Sequence, residues 1–290
     1  MSAQTKAGAR VAAPLSIRDA LYEAPGPKTR MKIRIGTAVS AVLVALLLGF
    51  VVYQFWATGQ LDPRYWEFFT WGSTWAYLMA GLRGTLTVAL TAGAIALVLG
   101  LALMLGRTSG MRWLAALCRV VTDFFRGVPS LLLIYFFFLV VPQYGIRMSS
   151  FWMITLPVAL AASGVLAEVF RAGMNAVPCG QTEAALALGM RPFRVKLKIV
   201  LPQAIRYVIP SLISQLVVGV KDTTGAYVVS YPDMLQNARV LITNYDALVS
   251  TYLVVAVIYI LLNYAINQLS VYVARCSGTR VVSRYSTNPA

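Results

Sequence analysis

The chain is organised around one polar stretch, Glu183 to Pro202, which reads EAALALGMRPFRVKLKIVLP. Four cations, Arg191, Arg194, Lys196 and Lys198, fall within eight positions of it. The segments on both sides are long and apolar. A polar, cationic insertion between apolar segments indicates a surface outside the membrane, and we expect a soluble protein to dock on it.

Composition places the rest of the chain in a lipid bilayer. Hydrophobic residues make up 59% of the 290 residues, charged residues only 12%, and the mean hydropathy is +0.70. An ordinary soluble domain has about 25% charged residues. The composition therefore predicts one polytopic membrane domain. The net charge of +15 has to be explained by the position of the cations relative to the spans.

Six charge-free stretches are candidate spans: residues 35–61, 84–106, 127–146, 148–167, 207–220 and 247–274. A helix rises 1.5 Å per residue and needs about 20 residues to cross about 30 Å of hydrocarbon. Five stretches are long enough. The fifth in chain order, Tyr207 to Val220, has only 14 residues. Six spans are predicted, of which this one is short.

The distribution of Lys and Arg sets the orientation. If both termini are cytoplasmic, 20 of the 25 cations lie inside, and the five outside are Arg64, Arg83, Arg147, Lys221 and Arg239. This bias follows the positive-inside rule. It predicts a multi-pass protein with both termini in the cytoplasm, and it explains the basic charge without a nucleic-acid partner.

Four regions follow from this topology. Residues 1–32 are predicted to be a disordered cytoplasmic arm, and 33–80 the first anchor with an outer aromatic loop. Residues 81–274 form the transmembrane domain, including a cytoplasmic loop at 174–202, and 275–290 form a cytoplasmic tail. A short outer helix is expected near Met234 to Leu241. In span two, Gly84, Gly93, Gly100 and Gly106 are expected to allow close helix packing.

The opening stretch has the signals of two short helices that meet at a turn. Pro178 and Gly180 break the preceding helix, and residues 181–188 favour a new one, with Ala184, Ala185 and Leu188 on one small apolar face. Gly189 is typical of a helix end, and Pro192 is typical of the first turn of a helix. A small apolar face held by a rigid turn suits a socket on another protein.

The same stretch resembles the EAA loop of bacterial ABC importer permeases. The resemblance rests on Glu183-Ala184-Ala185, Gly189, Ile199 and Leu201-Pro202 at that family's spacing. Further segments resemble the polar amino acid permeases of the histidine, glutamine and glutamate type: RGVP at 126–129, AEVFRAG at 167–173, LPQAIR at 201–206 and KDTTGAYVVSY at 221–231. Family members often read KDTSL where this chain has KDTTG, so the departure at Thr224 and Gly225 bears on the substrate.

The resemblance implies an all-α integral membrane protein with the type I importer permease fold, six transmembrane helices and a cytoplasmic coupling helix, in the bacterial inner membrane. It implies that the coupling helix fits a cleft on a dimeric ATPase. The implied coupling residues are Glu183, Ala184, Ala185, Leu188, Gly189 and Arg191. The other implied partners are a second permease subunit, identical or related, and an extracellular amino acid binding protein.

Catalysis and cofactor binding are not expected in this chain. The sequence contains no phosphate-binding GxxxxGK[ST] loop and no His, which is the commonest general base and metal ligand. ATP and Mg²⁺ would be used by the partner ATPase, and no metal site is predicted here. Glutamate or a related polar amino acid is the expected substrate.

Polar residues near the short fifth span give a hypothesis for the translocation path. Ser211, Ser214 and Gln215 share a helical face, and Asp222 continues it, flanked by Lys221 and Thr223. Charge at membrane depth is tolerated only inside protein or a watery cavity. Alternatively, Gln203 and Arg206 extend the helix inward, and Lys221 and Asp222 form a structural ion pair at the outer surface. The residues alone leave both open.

Two acid–base pairs lie at the predicted inner boundary, Asp123 with Arg126 and Glu168 with Arg171. Each has i, i+3 spacing, which brings side chains together on a helix. They are expected to be boundary ion pairs or, alternatively, contacts to the soluble partner or an inner gate. An ion- or proton-coupled secondary transporter is the alternative function, although no paired inverted repeat of broken helices is visible.

Overall fold

The computed structural model describes residues 26–276, and within this range the regular structure is helical, with no β-strand. The helices are α1 Pro27–Ala57, α2 Gly72–Arg107, α3 Arg112–Gly127, α4 Ser130–Tyr135, α5 Ser150–Ala176, α6 Cys179–Ala187, α7 Pro192–Val195, α8 Leu201–Asp222, α9 Met234–Tyr245 and α10 Leu248–Cys276. Short 3-10 or π turns cover Pro63–Tyr65, Glu67–Thr70, Phe136–Val140, Val141–Tyr144, Lys196–Val200 and Thr223–Val229.

The chain divides into two compact units between Gln60 and Leu61. The first contains α1, a helix of 31 residues that starts at Pro27. The predicted arm, 1–32, is therefore too long at its inner end, because Pro27 suits the first turn of a helix and the following residues continue it. The rest of that arm and most of the predicted tail lie outside the described residues. The tail's first two residues complete α10.

Helices α2 and α5 form the centre of the second unit. Val88 and Ala92 of α2 are buried against Ile154 and Val158 of α5. Towards the other end of the same pair, Met104 of α2 is buried with residues of α5 and α8. Without a hydrophobic driving force between helices in lipid, this association depends on close packing.

The glycines of α2 permit this packing, as expected. A Cβ on Gly84 would lie 2.4 Å from the carbonyl oxygen of Pro232, and one on Gly100 would lie 2.9 Å from Cβ of Leu166. The same construction at Gly106 places Cβ 2.5 Å from the Cys118 sulfur. The predicted packing role of these small residues is confirmed.

Five helical segments are long and apolar enough to cross a membrane, and a bent pair makes a sixth span if it is counted as one. The bend lies in the predicted third span, 127–146. There α3 ends at Gly127, and the segment Ser130–Tyr144 leaves at 98°. Val128 and Pro129 are extended, with ψ of 126° and 134°, because proline disfavours helical geometry in the residue before it and lacks an N–H. The prediction of one straight span there is wrong.

The predicted shortness of the fifth span is also wrong. Helix α8 has 22 residues, which correspond to roughly 33 Å, because Gln203 and Arg206 lie inside it. The π turn at Lys196–Val200 joins α7 to α8, so the helical segment runs from Pro192 to Val229. The charge-free length underestimated the helix, as it did for α2, which begins at Gly72 and not in the predicted loop that ends at residue 80.

The aromatic segment between α1 and α2 belongs with the second unit, whereas the sequence grouped it with the first anchor. Phe68 is buried beside Leu78, Met234 and Ala238, and its ring stacks on Tyr245 at 4.6 Å between centroids. The Ser250 hydroxyl donates a hydrogen bond to the Tyr65 carbonyl oxygen at 2.6 Å. The segment therefore holds α9 and α10 together.

The predicted outer helix is confirmed as α9, and a buried carboxylate caps it. Oδ1 of Asp233 accepts a hydrogen bond from the Gln236 N–H at 2.8 Å, and the side chain has no exposed surface. Burial raises the pKa of Asp233 to about 6 from the usual 3.8. Between these two pH values the folded protein holds a proton that the unfolded chain releases.

Asp233→Asn should therefore remove a pH dependence of stability. Between about pH 4 and pH 6, the contribution of Asp233 to the free energy of unfolding falls as pH rises, and it stays low above pH 6. Asn also caps helices but carries no charge. The variant should gain stability relative to the wild type across this window, by on the order of 3 kcal/mol at most. Thermal unfolding in detergent at several pH values measures the gain. An equal gain for Asp62→Asn, at an exposed cap, would contradict burial as the cause.

Candidate functional site

The segment between α5 and α8 projects a short helix and a turn of defined geometry. Helix α6 ends at Ala187, and Gly189 follows with a φ of +77°, in the left-handed region that favours glycine. The N–H of Gly189 donates to the Leu186 carbonyl at 2.9 Å, and the N–H of Met190 donates to the Ala185 carbonyl at 3.2 Å. These two bonds form a Schellman motif, which confirms Gly189 as a helix end.

The apolar face predicted on α6 is divided in two. Ala185 is only 6% exposed and packs with Val177, Val195, Val200 and Ala204. The expectation that Ala185 contacts the ATPase directly is corrected, because its methyl group fixes α6 on the transmembrane helices. Ala184, in contrast, is exposed.

The exposed residues of the segment surround the glycine turn. Leu188 is 84% exposed and Phe193 is 64% exposed. Glu183 and Arg191 are also exposed. Sequence reasoning missed Phe193, although an aromatic residue between cations in RPFRVK was an available signal. The turn therefore presents two large apolar side chains, flanked by charge, on the surface of the described chain.

The second helix of the segment differs from the prediction. Pro192 is the first residue of α7, as expected, but α7 has only four residues and continues through the π turn into α8. An amide donor of Gln203, in α8, bonds the Ile199 carbonyl at 3.0 Å and lies 3.4 Å from the Gln181 side-chain oxygen in α6. The segment is thus one helix, α6, joined by a fixed turn to the start of α8.

The predicted path residues are divided between a cavity and the surface. Gln215 and Asp222 line one cavity of about 160 Å³, together with Arg126 and Ser130. Gln215 also lines an apolar cavity of about 150 Å³ between α2, α5 and α8. The two cavities share Ala162, Gln215 and Gly219.

The other predicted path residues lie elsewhere. Ser211, Ser214 and Lys221 are exposed, and the Ser214 hydroxyl bonds the Pro210 carbonyl of its own helix at 2.9 Å. Thr223 is fully buried, and its hydroxyl bonds the Val220 carbonyl at 2.8 Å. Thr223 therefore does not line a path in this conformation, because its polar group is used by its own helix.

The ion pairs within 4 Å that the described residues form both involve Glu168. Its carboxylate pairs with Arg171, three residues on, and with Nη1 of Arg107 at 3.0 Å. Arg107 ends α2, so this bond joins α2 to α5. Sequence reasoning missed Arg107, since a contact across 61 residues leaves no local pattern. Asp123 and Arg126 do not pair, and neither do Lys221 and Asp222.

Comparisons with known proteins agree with this geometry. The family described as "Binding-protein-dependent transport system inner membrane component" matches residues 96–276. The glutamate transport system permease protein GluD of Corynebacterium glutamicum is 38% identical over 225 residues, covering 75% of this chain and 81% of that protein. A probable glutamine ABC transporter permease of Bacillus subtilis is 29% identical, covering 66% of this chain and 89% of that protein.

Solved structures show the same fold. A chain of an amino acid ABC transporter crystallised with histidines superposes with a TM-score of 0.68 at 25% identity, covering 72% of this chain and 98% of that one. A chain of the MetNI methionine transporter superposes with a TM-score of 0.60 at 18% identity, covering 71% of this chain and 99% of that one. The type I importer permease fold expected from the sequence is confirmed.

Glu168→Gln should destabilise the protein, because it leaves two guanidinium groups without their shared counter-charge. The three side chains are 18–36% exposed, between the surface and buried cases, so we expect a loss of about 1–2 kcal/mol. Thermal unfolding in detergent measures it. Asp123→Asn removes a similar charge from an exposed, unpaired position and should have little effect. Equal losses for both variants would contradict a specific role for the α2–α5 ion pair.

Proposed function

Because the chain belongs to the family of inner membrane components of binding-protein-dependent transport systems, we propose that it couples ATP hydrolysis in a separate ATPase dimer to amino acid import. The observation that carries this proposal is the rigid, exposed turn at Gly189. Ala185 seats α6 on the transmembrane helices, and Leu188 and Phe193 project from the surface beside Glu183. In this arrangement Leu188 and Phe193 enter an apolar cleft of the ATPase, and Glu183 and Arg191 provide charged contacts at its rim.

The assembly contains two permease subunits, two ATPase subunits and an external binding protein. The exposed side of α8 with Ser211, Ser214 and Lys221 faces the second permease subunit. Both termini and the α6–α7 turn lie in the cytoplasm, in accord with the distribution of Lys and Arg. ATP and Mg²⁺ are bound by the ATPase subunits.

The substrate is a polar amino acid, and glutamate is the first choice. Support comes from the cavity shared by Arg126, Ser130, Gln215 and Asp222. An amino acid carries an ammonium group and a carboxylate, and this cavity offers an acid and a cation together with neutral polar groups. The glutamate permease of Corynebacterium glutamicum, with 38% identity, supports the choice of glutamate.

Gly189→Asp and Glu183→Lys should each abolish coupling. An Asp side chain at a φ of +77° strains the turn, and Glu183→Lys reverses a charge at the proposed contact. With the ATPase subunit co-expressed, we expect at least a tenfold loss of copurified ATPase, or about 1.4 kcal/mol of binding free energy. Glu67→Lys, the same reversal in the exposed aromatic segment, is the control. Uptake by the purified chain alone, independent of ATP, would instead establish a secondary transporter.

Labelling of single cysteines tests the translocation path. Cysteines placed at 215 and 222, in a background lacking Cys118, Cys179 and Cys276, should react with a water-soluble maleimide at rates that change several-fold with substrate and nucleotide. A cysteine in place of the exposed Tyr144 should react at a constant rate. The path is wrong if the rates at 211, 215 and 222 all stay the same in every state.

A further inference from the structure

A second polar cavity, separate from the proposed path, lies behind α6. Its volume is about 250 Å³, and it lies between α6, the end of α5, the start of the α7–α8 helix and Thr108 at the end of α2. Its polar lining consists of Thr108, Arg171, Asn175, Thr182 and Lys196. None of these residues lines the cavity around Asp222. The proposed function gives this space no role.

Two cations reach this cavity from different elements and keep donors for a ligand. Lys196 Nζ donates one bond to the Thr108 carbonyl oxygen, which leaves two N–H groups of the ammonium. Arg171 uses Nε and Nη2 on Glu168, which leaves Nη1. The carboxylate of Glu168 is shared with Arg107. One negative charge therefore stands against three positive charges around the cavity.

The rest of the lining favours a bound anion over water. The amide of Asn175 and the hydroxyl of Thr182 are neutral donors, and Val195 and Val200 are buried apolar residues of the wall. Low-dielectric walls strengthen the attraction between a surplus positive charge and an anion. Hydrogen bonds from charged donors to an anion are roughly twice as strong as neutral ones.

The available donors distinguish between classes of anion. A planar carboxylate is bound best by the two parallel N–H groups of an arginine fork. In Arg171 that fork is already bound to Glu168. What remains is one point charge, one guanidinium corner and single donors from two other positions. Such a set surrounds a tetrahedral group, and lysine is a common phosphate ligand.

We propose that the cavity behind α6 binds an anion of the phosphate class through Lys196, Arg171, Asn175 and Thr182. Thr182 belongs to α6, whereas Lys196, Arg171 and Asn175 belong to the helices against which α6 rests, so the bound group bridges them. A ligand that binds only the folded arrangement stabilises it in proportion to its occupancy. If the proposed coupling role of α6 is correct, the anion also tunes coupling, but binding itself does not depend on that role.

The test uses the full chain without an ATPase, in nanodiscs of zwitterionic phosphatidylcholine. Inorganic phosphate is titrated at constant ionic strength, and thermal unfolding is recorded. Phosphate also stabilises proteins nonspecifically, so the readout is the difference between Lys196→Gln and Lys198→Gln. Lys198 carries the same charge two residues away, is exposed and does not line the cavity. We expect a saturable rise in Tm for the wild type and Lys198→Gln, and an apparent Kd at least tenfold weaker for Lys196→Gln.

Further variants separate binding from folding. Lys196→Gln also removes the bond to the Thr108 carbonyl, so Lys196→Arg, which retains a charged donor, should restore phosphate binding. Asn175→Leu and Thr182→Val remove neutral donors without touching that bond, and each should weaken binding several-fold. The proposal is overturned if all cavity variants respond like Lys198→Gln. It is also overturned if glutamate competes with phosphate, since that would assign the cavity to carboxylates.

A lipid arm identifies the source of the phosphate group. In nanodiscs containing phosphatidylglycerol, a lipid headgroup in the cavity would abolish the Tm response to inorganic phosphate. Native mass spectrometry would then find this lipid retained by the wild type and lost from Lys196→Gln. An unchanged phosphate response with no retained lipid would identify a free phosphate ligand. Loss of ATPase copurification with intact phosphate binding would refute the proposed function alone.

Discussion

The lack of water in the hydrocarbon core is the constraint on which this structure depends. Each backbone N–H and C=O at that depth must find a partner within the protein, and a helix satisfies them within one segment. The described part of the second unit accordingly folds as helices that meet through glycine contacts along α2 and through a charge cluster at its end. Glu168 offsets two arginines there, so that charges of both signs lie between packed helices at a modest cost.

The same constraint explains why the segment around Gly189 stands out. It ends α6 with a Schellman motif and begins the next helix at Pro192, so almost every residue of the connection has an assigned backbone role. Rigidity of this kind is unusual for a connecting loop, because loops vary and move more than the elements they join. A rigid connection with exposed Leu188 and Phe193 has the features of a protein-binding surface, whose affinity gains from a conformation that is fixed before binding.

Local signals predicted local structure well. Gly189, Pro192, the α9 helix and the packing glycines of α2 were each predicted from a few neighbouring residues, because turn and cap chemistry is short-range. The bend at Val128–Pro129 also had a local signal, but the absence of charge from 127 to 146 obscured it. Charge-free length measures the part of a helix at hydrocarbon depth, and for that reason it underestimated α2 and α8.

Contacts between distant segments were not predictable in this way. The bond from Arg107 to Glu168, the burial of Phe68 against α9 and the inward orientation of Ala185 depend on which helices become neighbours, and one sequence carries no record of that. The divided path stripe has the same origin. Ser214 and Gln215 are adjacent in sequence, yet only Gln215 lines the cavities, because neighbouring residues on a helix point in directions about 100° apart.

The π turn at Lys196–Val200 has a mechanical consequence. It lets the helix that starts beside the Gly189 turn continue without a hinge to Val229, a run of 38 residues, or roughly 57 Å at the rise of an α-helix. A rod of this length is far stiffer than a loop. A tilt imposed at the Pro192 end is converted directly into a sideways displacement at the far end, where Asp222 lies, so the chain works as a lever whose fulcrum is the packing of α8 on α5.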